Sequence, residues 1–440
     1  MAPREGRPMT SRRDSFRARP TIARRRRRPI AAAVTAAALL PTLFSASACG
    51  GPADASTNAD DLTVMTWAPS GTGSADRPGM TALADSIGRD VNLKGGLNGH
   101  KLHVITCNEH NTADGAKACA QQAVDAGAAA VIGSYSQWGD AFMPVLERAG
   151  IPLIGGYGLS QPEFSSPLSY PVDGGMPALI AGSGRQLVEA GCRSVALIRP
   201  DTPAGDSLLG YLGNALKPAG MKLLDVKAPE QSSDYTAVAR KAIGRDEPGN
   251  CVTSAMAAEP TGNLLDAYRR LTPKNTRIAS VIGSVQQSVV DSTGGDSGPL
   301  AGAFVTSWYP PESARIWDGL RSVVRSDTTG ANSIDVSDPG VQTTWVAYEV
   351  FRVVSEKLAA AGKPVSSKTV TALLDSGEGI DVGLTPPLNW GTTNMLPSTE
   401  SPRLVNTWIT YQVVRNGRMT PQQPGFVDVR WVLTGGRPPA

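Results

Sequence analysis

Between Leu97 and Phe164 the chain alternates strand and helix patterns with little in between. The spacing predicts a strand at 101–107, a helix at about 113–126, a buried strand at 128–133, a helix at about 139–149 and a strand at 152–155. Strands that alternate with helices through short glycine-bearing turns form a parallel sheet covered on both faces. Ligands of such sheets gather at the carboxyl ends of the strands. Those ends are Ser134-Tyr135-Ser136 and Tyr157-Gly158-Leu159-Ser160, two loops of hydroxyls, amides and aromatic rings. They have the makings of a binding site and none of catalytic machinery.

The N-terminus is read separately. Its first 28 residues carry eleven arginines against Glu5 and Asp14, which leaves 31 basic and 37 acidic residues in the rest of the chain. The basic overall charge is therefore local and gives no argument for a nucleic-acid partner. After it come a short apolar run, 30–40, and Ala46-Ser47-Ala48-Cys49. The run is well short of the ~20 apolar residues a spanning helix needs. Charged region, apolar region and small residues before a cleavage point read as an export signal over 1–48. A small-residue tether follows at 49–60. Cys49 at that point resembles the acylated cysteine of a bacterial lipoprotein, although Ala46 stands where such signals usually carry Leu.

Four cysteines remain, an even number that suits an exported protein. Cys107 ends a predicted strand and Cys119 lies on the helix that turns back over it. Cys192 and Cys251 each stand just before a predicted strand, at 194–198 and 252–256. If those strands are neighbours in a parallel sheet, the two sulfurs lie side by side. Disulfides Cys107–Cys119 and Cys192–Cys251 are expected.

About 390 residues are too many for one core, so two domains are expected. The first alternating unit opens with a strand at 62–67 and a helix ending near 92, and it closes near Pro171. The pattern then starts afresh, with helices at 174–190, 205–217, 235–243 and 261–271. Strands fall between them at 194–198, 223–227, 251–256 and 278–282. Longer helices follow at 314–324 and 341–361, and a strand at 406–415 ends at an Asn416-Gly417 turn.

Gly96-Leu97-Asn98-Gly99, Val131-Ile132-Gly133-Ser134, VLERAGIP at 145–152, GLSQPEF at 158–164 and PLNW at 387–390 occur in an order and spacing that resemble the type I periplasmic binding proteins of the branched-chain amino-acid class. The resemblance covers about 61–421. It implies an α/β fold of two doubly wound parallel-sheet lobes joined by a three-segment hinge, with crossings near 171–177, 308–311 and 389–397. One lobe would then comprise 61–173 and 310–392, and the other 174–309 and 393–440 with the tail.

By the same resemblance Ser136, with Ser134 and Tyr135 beside it, would hold a ligand carboxylate, Ser160 would add a hydroxyl, and the Gly158 carbonyl would face an amine. Neutral donors at helix N-termini bind anions without a counter-charge. Ser136 and Ser160 equally suit plain helix capping. Glu259 stands near the place where this class keeps an acid for the ligand ammonium, and it equally suits a solvated helix start. The tyrosine that the class keeps after the 194–198 strand is replaced by Asp201-Thr202-Pro203-Ala204-Gly205. Trp67 is expected to face the space between the lobes.

Catalysis has little to work with. The three histidines, His100, His103 and His110, surround one strand, and no cysteine, histidine and carboxylate cluster has metal-ligand spacing. No nucleophile elbow with a downstream histidine occurs, and no phosphate loop. The expected protein is a monomeric extracytoplasmic receptor of an ABC importer, free of metal and cofactor. It would be anchored by lipid to the outer face of the cytoplasmic membrane and deliver a small organic ligand, an amino acid or related amide or peptide, to a membrane permease. A sensor of the same fold reporting to a signalling partner is the alternative, and a carboxylate-based hydrolase a distant second.

Overall fold

Leu62–Trp67 forms strand β1, and all six of its residues are buried. Such a run, rich in β-branched and large apolar residues, suits a central strand covered on both faces. The computed structural model describes residues 61–72, 75–329, 333–398 and 400–437; the expected signal, the tether and Cys49 lie outside them. After β1 come α1 (Pro78–Leu93), β2 (Leu102–Cys107), α2 (Ala113–Asp125), β3 (Val131–Ile132), α3 (Gly139–Ala149), β4 (Leu153–Ile154), α4 (Gln161–Ser165) and β5 (Ser169–Tyr170). Their sheet is parallel throughout, in the order β2-β1-β3-β4-β5.

The second unit runs α5 (Gly175–Glu189), β6 (Ser194–Pro200), α6 (Pro203–Leu216), β7 (Lys222–Ala228), α7 (Thr236–Ile243), β8 (Asn250–Ser254), α8 (Ala258–Leu271), β9 (Arg277–Val281), α9 (Gln287–Ser292) and β10 (Phe304–Ser307). Then follow α10 (Asp318–Ser326), α11 (Pro339–Ala360), α12 (Ser367–Asp375), β11 (Trp408–Arg415), β12 (Arg418–Pro421), β13 (Val427–Asp428) and α13 (Arg430–Leu433). The second sheet is ordered β12-β11-β10-β9-β8-β6-β7. Its strands β6 to β10 pair in parallel, whereas β11 and β12 add an antiparallel edge. The parallel expectation therefore needs correcting at that edge. The Asn416-Gly417 turn, with both residues at positive φ, closes a hairpin, and a hairpin makes its strands antiparallel.

Helices α10 and α11 return to the first sheet, packing on α1, with α11 also on β3 and β4. Gly133 and Gly155, just past β3 and β4, take φ of +61° and +65°. A Cβ on Gly133 would lie 2.7 Å from the α11 backbone at Thr344, and one on Gly155 would meet the Ala347 methyl. The close approach and the left-handed turn both require glycine, and together they keep β3 and β4 to two residues each.

Three chain segments join the lobes, and they are knitted to one another. The first supplies backbone carbonyls: Ser169 O accepts from Arg403 Nε (2.9 Å), Pro171 O from Trp390 Nε1 (3.0 Å) and Val172 O from Asn406 Nδ2 (2.7 Å). Asp173, fully buried, accepts from Gly175 N at 2.9 Å, from the Thr343 hydroxyl on α11 at 2.8 Å and from Tyr309 Oη of the second segment at 3.3 Å.

Both expected disulfides are present, Cys107–Cys119 and Cys192–Cys251, with Cα atoms 5.8 and 6.0 Å apart. The register places Val195 opposite Cys251, so the neighbouring-strand argument holds for the second pair. It closes 59 residues and the first closes 12. On the chain-entropy model these are worth about 4 and about 3 kcal/mol. Urea unfolding of Cys192→Ser/Cys251→Ser should therefore show the larger loss of stability, and Cys107→Ser/Cys119→Ser the smaller.

Candidate functional site

The loops after β3 and β4 are joined where they leave the first sheet. Tyr157 N donates to Ser134 O at 2.9 Å, and the rings of Tyr135 and Tyr157 stand 5.0 Å apart in a tilted stack. The Ser134 hydroxyl accepts from Trp67 N at 3.1 Å, which fixes the loop to the end of β1. All three of Ser134, Tyr135 and Tyr157 are buried.

Over the tyrosine pair lies Arg77, the residue before α1. Its guanidinium carbon is 5.6 Å from the Tyr135 ring centroid and 5.5 Å from that of Tyr157, within cation–π range of both. Its side chain is 13% exposed. Arg77 Nη1 meets Asp338 Oδ2 at 3.4 Å, and Arg77 Nε has no hydrogen-bond partner. Asp338 caps α11, accepting from Gly340 N at 2.6 Å and Val341 N at 3.4 Å. Burial works against the Arg77 charge, yet Tyr157 and Asp338 hold it above the ordinary arginine value. Burial likewise pushes both tyrosine hydroxyls up, so they stay neutral and Asp338 is the counter-charge.

The other lobe meets this group directly. Trp308, just past β10, sets its ring edge-on to Tyr157 at 5.2 Å and donates from Nε1 to Gly175 O at 2.9 Å. Gly283, just past β9, has φ +89°, and a Cβ there would lie 2.7 Å from Tyr157 Oη. Strand-end loops of both sheets thus converge on one tyrosine.

The sequence candidates fall into three groups. Tyr135 and Ser134 sit in the cluster just described. Ser136 and Ser160 are engaged locally: Ser136 Oγ donates to Glu109 Oε2 at 3.1 Å and accepts from Trp138 N at 3.0 Å. Ser160 forms a capping box with Glu163, its hydroxyl 2.7 Å from Oε2. The same carboxylate accepts from Gly158 N at 3.2 Å.

Trp67 and Glu259 lie elsewhere. Trp67 turns away from the second lobe, fully buried with Ala116, Cys119 and Leu146 and edge-on to Phe142 at 5.2 Å. In a strand covered on both faces, alternation does not say which way the last side chain points. Glu259 is exposed on the first turn of α8. Asp201, where the class carries tyrosine nearby, pairs with Lys227 at 2.6 Å on the surface, and Thr202 caps α6.

Arg77, Asp338 and Gly283 are the residues that sequence reasoning passed over. The one local signal was an arginine directly before the proline that opens α1, in the loop at the carboxyl end of β1. Among the described residues no group of three or more His, Cys, Asp or Glu side chains could hold a metal ion.

A family model for periplasmic binding proteins matches residues 65–417. The chain belongs to that family. No curated protein matches it. Among solved structures it is similar to a branched-chain amino-acid ABC transporter protein from Thermus thermophilus with bound valine, at 14% identity and a TM-score of 0.70, over 86% of this chain and 99% of that one. A leucine-binding protein from Thermotoga maritima aligns at 12% identity and a TM-score of 0.64, over 83% and 99%. A fatty-acid ABC transporter substrate-binding protein from Thermomonospora curvata aligns at 12% and 0.65, over 83% and 92%. At such identities the likeness is one of fold.

Two buried carboxyls of this periplasmic binding protein flank the strand-end loops. Burial pushes Asp173 up to about 7 against its three hydrogen bonds, and burial pushes Glu109 up to about 7 against its bond from Ser136. Between roughly pH 4 and pH 7 the folded protein therefore holds protons that the unfolded chain has released. These groups favour the folded state most at the acid end, and that contribution is lost as pH rises through 7. Asp173→Asn keeps an acceptor for Gly175 N and offers a donor to the Thr343 and Tyr309 oxygens. Urea midpoints measured from pH 4.5 to 7.5 should fall less steeply in this variant than in the wild type. An unchanged slope would mean that Asp173 is ionised throughout.

Proposed function

We propose that the chain is an extracytoplasmic solute-binding receptor of an ABC importer. Its two lobes close around a small organic ligand, an amino acid or related amide or short peptide, and the closed shape is what the membrane permease recognises. The contact that carries this reading is Tyr157 of the first lobe against Gly283 and Trp308 of the second. Strand-end loops that meet across a three-segment hinge can enclose a ligand and release it by a rigid-body motion. Family membership supports the reading, as do structural neighbours that include a protein with bound valine, a leucine-binding protein and a fatty-acid substrate-binding protein. The receptor binds without turnover, works as a monomer, and is held at the outer face of the cytoplasmic membrane through an acylated Cys49. No helix among the described residues is long and apolar enough to cross a membrane.

The direct test is a thermal-shift screen of the purified protein against amino acids, amides, short peptides, nucleosides and sugars. A ligand that binds only the folded state stabilises it by about 2.7 kcal/mol at 100 times its dissociation constant. A shift with amino acids is the expected result. Silence from all of them with a hit in another class would keep the receptor and remove the amino-acid assignment.

Closure has its own test at Gly283. Gly283→Val sets a side chain against Tyr157 Oη, an overpacking of about 1–3 kcal/mol that only the closed form bears, so affinity for the screened ligand should fall about tenfold or more. Small-angle scattering should show a larger radius of gyration. Gly262→Ala, where a Cβ meets nothing within 4 Å, should leave both unchanged.

A further inference from the structure

The Arg77 cluster goes further than the receptor reading and rests on it. A guanidinium that is mostly withdrawn from water, with one nitrogen lacking an acceptor, is an incomplete arrangement. Arg77 meets Asp338 at 3.4 Å and the Tyr157 hydroxyl, with two neutral rings beneath it. Its Nε–H is buried and unpartnered. Asp338 cannot swing to serve that nitrogen without giving up the first backbone N–H groups of α11, which it caps. The group that would complete Arg77 must bring an oxygen acceptor, and a planar fork of donors is matched by a planar pair of oxygens.

The position is where the two lobes meet. Arg77 lies over Tyr135 and Tyr157, and Tyr157 is the residue on which Gly283 and Trp308 close from the second lobe. The serine hydroxyls of the neighbouring loops already donate within the protein, Ser136 to Glu109 and Ser160 to Glu163. A ligand anion would find its strongest donor in Arg77.

We propose that the cleft takes a small organic carboxylate, whose oxygens pair with the Nε edge of Arg77 and whose body lies against the rings of Tyr135 and Tyr157. Asp338 is then a positioning residue that holds the guanidinium over the rings.

Isothermal titration calorimetry on the purified protein tests this with matched acids and amides: L-leucine against L-leucinamide, and 3-phenylpropanoate against 3-phenylpropanamide. Binding of an acid with at least a tenfold preference over its amide is expected. Arg77→Gln should weaken that acid about tenfold or more, the loss of a charge-assisted hydrogen bond, with a circular-dichroism melt confirming that the variant is folded. Should Arg77→Gln fail to fold, Arg77→Lys keeps the charge beside Asp338 and loses the planar fork, and it should weaken the acid measurably. Acid and amide binding alike, or unchanged affinity in the folded variant, overturns the proposal. Stabilisation by a neutral sugar or nucleoside alone overturns the carboxylate while leaving the receptor standing. Silence from every solute in the wider screen removes the receptor reading and this proposal with it.

Discussion

A carboxyl group out of reach of water holds the hinge together. Asp173 sits where the chain first leaves the amino-terminal sheet, and its acceptors are used by Gly175 N, by Thr343 on α11 and by Tyr309 on the second crossing segment. Burying such a group is costly unless hydrogen bonds satisfy it, and removing one partner leaves that cost uncompensated. The three donors come from three stretches of chain that are distant in sequence, so the network forms only when all of them are in place. The carbonyls just before it, at Ser169, Pro171 and Val172, are taken by Arg403, Trp390 and Asn406 of the third segment. The hinge is therefore one hydrogen-bonded knot instead of three independent linkers, and it fixes where the two sets of strand-end loops can meet.

From that knot a run of aromatic rings leads to the candidate site. Tyr309 packs on Trp317 at 5.6 Å and on Trp308 at 6.4 Å, Trp308 on Tyr157 at 5.2 Å, and Tyr157 on Tyr135 at 5.0 Å. Each contact has the tilted or edge-on geometry that ring quadrupoles favour. Arg77 caps one end of the run and Asp173 bonds Tyr309 near the other, so the site and the hinge share neighbouring rings. The link between Tyr157 and Trp308 joins the loop after β4 to the residue after β10.

What the sequence disclosed and what it withheld divide along the distance of the contacts. Strands and helices with clear periodicity lie within a few residues of where they were expected, and α3 ends where its pattern stops, at Gly150 in a left-handed turn. Both cysteine pairs were legible because their partners lie on elements adjacent in the sheet or in sequence. Short β10 carried too little pattern to be read, and the direction of Trp67 could not be read from a strand without alternation. Ser136 and Ser160 show a different limit, since a hydroxyl before a helix looks the same whether it serves the helix or a ligand. Arg77 offered only its place before Pro78: its counter-ion is 261 residues away and its rings come from two other loops. Only the folded chain brings them together.

A receptor that works by closing must not be fully content when closed and empty, or ligand could gain nothing by entering. The equilibrium between its forms shifts only by the difference in how each holds the ligand. The unpartnered Nε of Arg77 supplies such a difference. With the lobes together it is a donor shielded from water, a cost of about 1–3 kcal/mol for an unsatisfied buried group. A ligand oxygen would satisfy it with the lobes shut. On the carboxylate proposal, an anion at this position removes a cost that the empty closed form bears. Gly283 lets the second lobe come close to Tyr157, and the Asp173 knot holds the segments about which the lobes would turn.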